Sequence, residues 1–197
     1  TVLAAILVLG GCQSNANLDA NNGEHKILAD GILGSIYWHQ RRPSRRVSSL
    51  TDEERQITPE KLLEVKELYL RAGPDYDVEE FPNGVTDIRP LSKLENLRTL
   101  VIFGGSIKDI KPLLGLNRLT SLEVSGVPIS NLGIEGIAKL GKLERCNLYG
   151  TKITDAGLKE IAKIKQLQVL GLNSNKITDA GLKELVNLKH LQQLWIK

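Results

Sequence analysis

Three histidines, two cysteines and a recurring aspartate are the residues of this chain best equipped for chemistry, and their spacing excludes most of it. His25, His39 and His190 are scattered, not set at the short intervals of metal ligands. No Gly-x-Ser-x-Gly elbow, phosphate-binding loop or dinucleotide fingerprint is present. Asp155 and Asp179 recur 24 positions apart, each directly after a threonine. An acid in the first turn of a helix is favoured by the helix dipole, and that accounts for both. A row of such carboxylates could touch calcium, but one oxygen per unit falls far short of the roughly six to eight required. Cys146 sits among aliphatic positions and reads as a small buried hydrophobe; the competing reading is a reactive thiol. The segment is therefore expected to carry no catalysis, metal or cofactor.

The aspartates belong to a larger regularity. KITDAGLKE runs from Lys152 to Glu160 and returns from Lys176 to Glu184. Aligned on it, leucine-led segments begin at Leu97, Leu119, Leu143, Leu167 and Leu191, first 22 and then 24 residues apart. VKELYL, Val65 to Leu70, has the same shape, and an insertion over roughly 72–84 separates it from its partner segment. A fixed period of this size marks stacked supersecondary units.

With LQVLGLNSN (Leu167 to Asn175) and LERCNLYGT (Leu143 to Thr151) in phase, the chain resembles the leucine-rich repeat family, pattern L-x-x-L-x-L-x-x-N/C-x-L. The resemblance covers 65–197. Units with Asp-Ile-x-Pro-Leu look internalin-like, and those with Ile-Thr-Asp-Ala-Gly-Leu look like repeats of other bacterial proteins. It implies an α/β fold: a solenoid with parallel strands on a concave face, short helices or turns on the convex face, and an N-terminal helical cap. Only Asn175 supplies the expected asparagine; Thr151 offers a hydroxyl, and Val127 and Gly105 offer no side-chain hydrogen bond.

Residue chemistry leads to the same unit independently. Strand residues alternate between faces, so Leu170 and Leu172 share one side, opposite Val169, Gly171 and Asn173. Thr178 reads as an N-cap, with Ile177 and Leu182 as a hydrophobic staple. Ile153, Thr154, Asp155 and Leu158 repeat the device one unit earlier. The outward columns collect Tyr69, Phe103, Tyr149 and Trp195, four of the eight aromatics in the chain. Aromatics are enriched in binding hot spots, so the partner-binding candidates are Tyr69, Arg71, Phe103, Glu123, Arg145, Tyr149, Asn173 and Trp195. The alternative is that aromatic residues simply favour strands.

The N-terminal part has a different texture. Val2 to Leu9 is apolar and far shorter than the ~20 residues that span a bilayer. Leu9-Gly10-Gly11-Cys12 resembles the lipobox of bacterial lipoproteins, which implies a signal peptide over 1–11 and lipidation of Cys12; the alternative is a membrane anchor whose start lies upstream. Gln13 and not aspartate stands directly after Cys12, and in Gram-negative sorting that resemblance leans toward the outer membrane. Residues 12–49 read as a tether and basic linker, with four arginines in Arg41 to Arg46. That cluster is either solvated or drawn to anionic lipid headgroups, and nucleic acid is not expected as a partner. Thr51 with Glu54, then Thr58 before Pro59, outline a helical cap over 50–64. Met is absent and LQQLWIK (Leu191 to Lys197) lacks a polar cap, so both ends are expected to be incomplete.

The resulting expectation is a lipid-anchored cell-envelope protein that binds another protein on its concave face. Two other classes stay open: the recognition arm of a larger enzyme or receptor, and an adhesive or structural spacer.

Overall fold

A computed structural model describes residues 4–7, 63–71 and 87–197. Seven strands form one parallel sheet in chain order. They are β1 (Ala4–Leu7), β2 (Glu67–Arg71), β3 (Thr99–Phe103), β4 (Ser121–Ser125), β5 (Arg145–Asn147), β6 (Val169–Gly171) and β7 (Gln193–Trp195). Ala4 pairs with Glu67, so β1, inside the apolar run of the expected leader, lies beside β2. Tether, linker and the 72–84 insertion lie outside the described residues. Leu63 and Glu64 are helical, and the rest of the expected cap, 50–62, also lies outside.

The register explains the leucine spacing. Leu68, Leu100, Leu122, Cys146 and Leu170 occupy one column and are all buried. Leu70, Ile102 and Val124 fill the next column, which Leu148 and Leu172 continue beyond the shorter strands. Each unit then returns through Leu97, Leu119, Leu143 or Leu167 and their aliphatic neighbours, equally buried. One continuous core results, with each buried leucine worth roughly 1.5–3 kcal/mol. A single coil could not hide these side chains; its neighbours complete the enclosure.

The return path depends on unit length. In the 22-residue units it is a short 3-10 turn, such as Lys111–Leu113, with a proline at its start, where the missing N–H costs nothing. The first 24-residue unit returns through two 3-10 turns, Leu132–Ile134 and Ile137–Lys139, and the next two through α1 (Asp155–Ile161) and α2 (Asp179–Leu182). The turn after each strand passes through the left-handed region at Gly126, Gly150 and Ser174. Gly126 and Gly150 carry φ of 64° and 59°, conformations that glycine adopts without Cβ strain.

The duplicated nonamer is explained by how successive coils touch. The Asp155 carboxylate accepts from Thr178 N at 2.8 Å and from the Thr178 hydroxyl at 2.6 Å, one coil further on. A Cβ on Gly181 would collide with that same carboxylate, so glycine there lets the coils close. One coil earlier, Asn131 accepts from Thr154 N at 2.9 Å and donates to Thr154 Oγ1 at 2.8 Å, and Gly157 provides the clearance. Asp155 of the first copy thus meets Thr178 and Gly181 of the second, while Asn131 takes the place of that aspartate one coil earlier.

This refines the expected helix starts. Thr178 Oγ1 does accept from Ala180 N, at 3.2 Å, as an N-cap. Thr154 occupies the equivalent position but makes no side-chain cap bond; its hydroxyl oxygen accepts from the Asn131 amide. Asp155 also does more than favour a helix dipole, since it links two coils.

The polar ladder at the turn is stronger than its sparse asparagines suggest. Asn175 Nδ2 donates to Leu148 O at 2.6 Å and Leu172 O at 3.1 Å. Its Oδ1 accepts from Thr151 Oγ1 and Ile153 N. Leu194, in the core column, is 38% exposed, where its counterpart Leu170 is fully buried.

Candidate functional site

Alternation along each strand pushes every second side chain onto the face opposite the core. Phe103 ends β3 and is 51% exposed; Tyr149 follows β5 and is 44% exposed; Trp195 in β7 is 48% exposed. Large apolar rings left this open contrast with the leucines behind them, none of which reaches solvent in β2 to β6. Tyr69 is half-buried, and its hydroxyl points toward Glu67 Oε2 at 3.5 Å. Burial, and then the Glu67 charge, raise its phenol above the ordinary value.

Glu123, Asn147 and Asn173 are half-buried on the same face, and Arg145 is exposed. Arg71 closes β2, but its side chain lies outside the described residues, as does Cys12. The structure thus brings Tyr69, Phe103, Glu123, Arg145, Tyr149, Asn173 and Trp195 onto one surface, as the spacing predicts. Ser125 was not singled out by the sequence, yet it is buried to 2% between Phe103 and Tyr149 in register, and its hydroxyl donates to Glu123 Oε1 at 3.2 Å. Its register neighbours lie 22 and 24 residues away in the chain, beyond the reach of any local pattern.

Among the described residues, Cys146, His190 and the Asp87–Arg89 pair stand apart from this cluster. Cys146 is buried, and burial pushes its thiol up to about 12, far from the thiolate that a nucleophile requires. A hollow of about 450 Å³ outside the sheet is lined by Asp87, Arg89, Ser106, Lys108 and Asp109 among others. There Arg89 donates to Asp87 Oδ2 at 2.7 Å and holds the carboxyl below its usual range. His190 is exposed. Among the described residues no group of three His, Cys, Asp or Glu could hold a metal ion, and no helix is long and apolar enough to cross a membrane.

Comparison with known proteins agrees with this architecture. Residues 165–186 match the family profile described as Leucine Rich repeat. An internalin C2 from Listeria monocytogenes is 26% identical, with a TM-score of 0.53 over 68% of this chain. The match spans 62% of that internalin. A leucine-rich repeat protein of Leptospira interrogans is 27% identical over 70% of this chain and 35% of its own, with a TM-score of 0.46. The ectodomain of an Arabidopsis thaliana receptor kinase, solved in complex with Casparian strip integrity factor 2, is 21% identical. It covers 57% of this chain and 14% of its own, with a TM-score of 0.43. No curated protein matches. In-register leucine columns, one parallel strand per coil and short returns together build a leucine-rich repeat solenoid, and over its repeats the chain is similar to leucine-rich repeat proteins.

Proposed function

We propose that this is a lipid-anchored protein of the bacterial cell envelope that holds another protein on the outward face of its sheet and has no catalysis of its own. One observation carries the binding half: Phe103, Tyr149 and Trp195 stand open on the face opposite a core of aliphatic side chains and Cys146. Rigid aromatic side chains offer large contact area at little entropic cost, and a sheet braced by stacked coils is preorganised for association. The anchoring half rests on Leu9-Gly10-Gly11-Cys12 and the polar stretch after it. A single acyl chain binds membranes marginally and two bind firmly, so lipidation at Cys12 would hold the repeats at a surface. Cleavage before Cys12 would remove β1 and leave β2 as the edge of the mature sheet.

The test has two arms. Tyr149→Ala and Phe103→Ala are compared with the wild type for proteins retained from envelope extracts and for melting temperature. Reduced retention at unchanged melting supports the reading; unchanged retention, or parallel losses of both, contradicts it. Mass analysis of the mature N-terminal peptide then decides the anchor: an unmodified Cys12 still joined to Gly11 excludes it.

A further inference from the structure

Building on the membrane location proposed above, we infer that the edge of the sheet at which the strands begin rests on an anionic phospholipid surface. All strands are parallel and paired in chain order, so every turn that precedes a strand lies along one edge. In five successive coils that turn closes in the same way. The leading leucine donates its N–H to the carbonyl three residues earlier: Leu97 to Leu94 at 2.9 Å, Leu119 to Leu116 at 3.0 Å, Leu143 to Leu140 at 3.0 Å, Leu167 to Ile164 at 3.1 Å and Leu191 to Leu188 at 3.1 Å. The aliphatic residues at both ends of each bond pack on the core, which turns the two residues between them outward. In the last four coils that outward pair holds one arginine or lysine and no acid: Arg118, Lys142, Lys165 and Lys189, all exposed. Neighbouring strands lie about 4.8 Å apart, so these four form a row of like charge.

Lys93, Lys139 and Lys163 flank that row in their own coils, and Arg98 follows at the start of β3. Across 92–98, 114–120, 138–144, 162–168 and 186–192, eight basic residues outnumber two acids, Glu95 and Glu144. Of the eight, Lys163 alone makes an ion pair with a described residue, Glu160. The opposite edge, where the strands end, is balanced: 104–112, 126–136, 150–160 and 174–184 carry six lysines and six acids. Uncompensated like charges this close repel one another, and an anionic surface relieves the repulsion. The composition selects a membrane over a protein as that surface. Six of the eight cations are lysine and the edge holds no aromatic residue, whereas protein interfaces are enriched in aromatics and depleted in lysine. Phe103 lies at the far end of β3, about 16 Å beyond Arg98 at ~3.3 Å per residue, and Tyr149 lies beyond the end of β5. A membrane under the basic edge therefore leaves the aromatic face open to its partner.

The test uses the full chain carrying Cys12→Ser, so that no acyl chain contributes. Sedimentation compares vesicles of phosphatidylglycerol mixed with phosphatidylcholine against vesicles of phosphatidylcholine alone. One variant combines Arg118→Glu, Lys142→Glu and Lys189→Glu; its control combines Lys108→Glu, Lys152→Glu and Lys176→Glu, the same change of charge at the other edge. Binding is expected on the mixed vesicles and to weaken as salt screens it. It should fall about tenfold or more in the first variant and stay within about twofold in the control. If the first variant melts early, the same three positions changed to Gln replace it, with an expected loss of about threefold or more. Equal binding to both kinds of vesicle, or equal losses in the two variants, would overturn the inference. So would a first variant that keeps full vesicle binding but loses retention of envelope proteins, which would assign the edge to a protein partner. Failure here leaves the reading above standing, because mass analysis decides the anchor and the Tyr149→Ala and Phe103→Ala variants decide the binding face.

Discussion

Cys146 stands where Leu122 and Leu170 stand in neighbouring coils, and the environment has turned a reactive group into a small apolar one. Its thiol moves from an ordinary 9.0 up to about 12 because burial penalises the thiolate. The folded value lies above the unfolded one, so the native chain keeps a proton that the unfolded chain sheds. The stability gained this way is whole below about pH 9 and is lost as the pH climbs toward 12. The urea midpoint should therefore fall between about pH 8 and pH 10.5, and fall less in Cys146→Val, which fills a similar volume without a titrating group. An equal fall in both proteins would mean that the thiol is not sealed in the core. The burial was legible from the alignment of Cys146 with Leu170. The half-buried Glu123 and sealed Ser125 were not, because their surroundings come from adjacent strands.

Between elements, the Asp155 link shows both how far a repeat can be read and where reading stops. Periodic leucines, the threonine cap at Thr178 and the apolar return were all visible, since each depends on residues within one unit. The inter-coil bonds were not, because Asp155 and Thr178 are 23 residues apart in the chain. The identical nonamers also bond differently, because the coil before one offers Asn131 and the coil before the other offers Asp155. The Thr178 hydroxyl and amide hydrogen bonds hold the Asp155 carboxyl below its ordinary 3.8. A depressed value means the link is present above that pH and is lost as the pH falls through the lower folded value. The protection of the Thr178 amide, measured against its intrinsic exchange rate at each pH, should fall on acidification below about pH 3.8 in the wild type. In Asp155→Asn, which accepts without titrating, the Thr178 amide should lack this acid-dependent step. An acid step of equal size in the variant would assign the effect to other carboxylates.

Across the whole molecule, the two sides of one sheet divide the work. The inner side is aliphatic, sealed and shared by every coil, so its side chains set stability through contacts with the units before and after. The outer side carries the open rings of Phe103, Tyr149 and Trp195 and the exposed Arg145. A urea melt of two variants tests this division most directly. Leu170→Ala removes a fully buried side chain from the middle of the core and should lower stability by about 2–5 kcal/mol. Tyr149→Ala, on the opposite face, should stay within about 0.5 kcal/mol of the wild type. A Tyr149→Ala loss as large as that of Leu170→Ala, or a Leu170→Ala loss no greater than a surface change, would contradict the account.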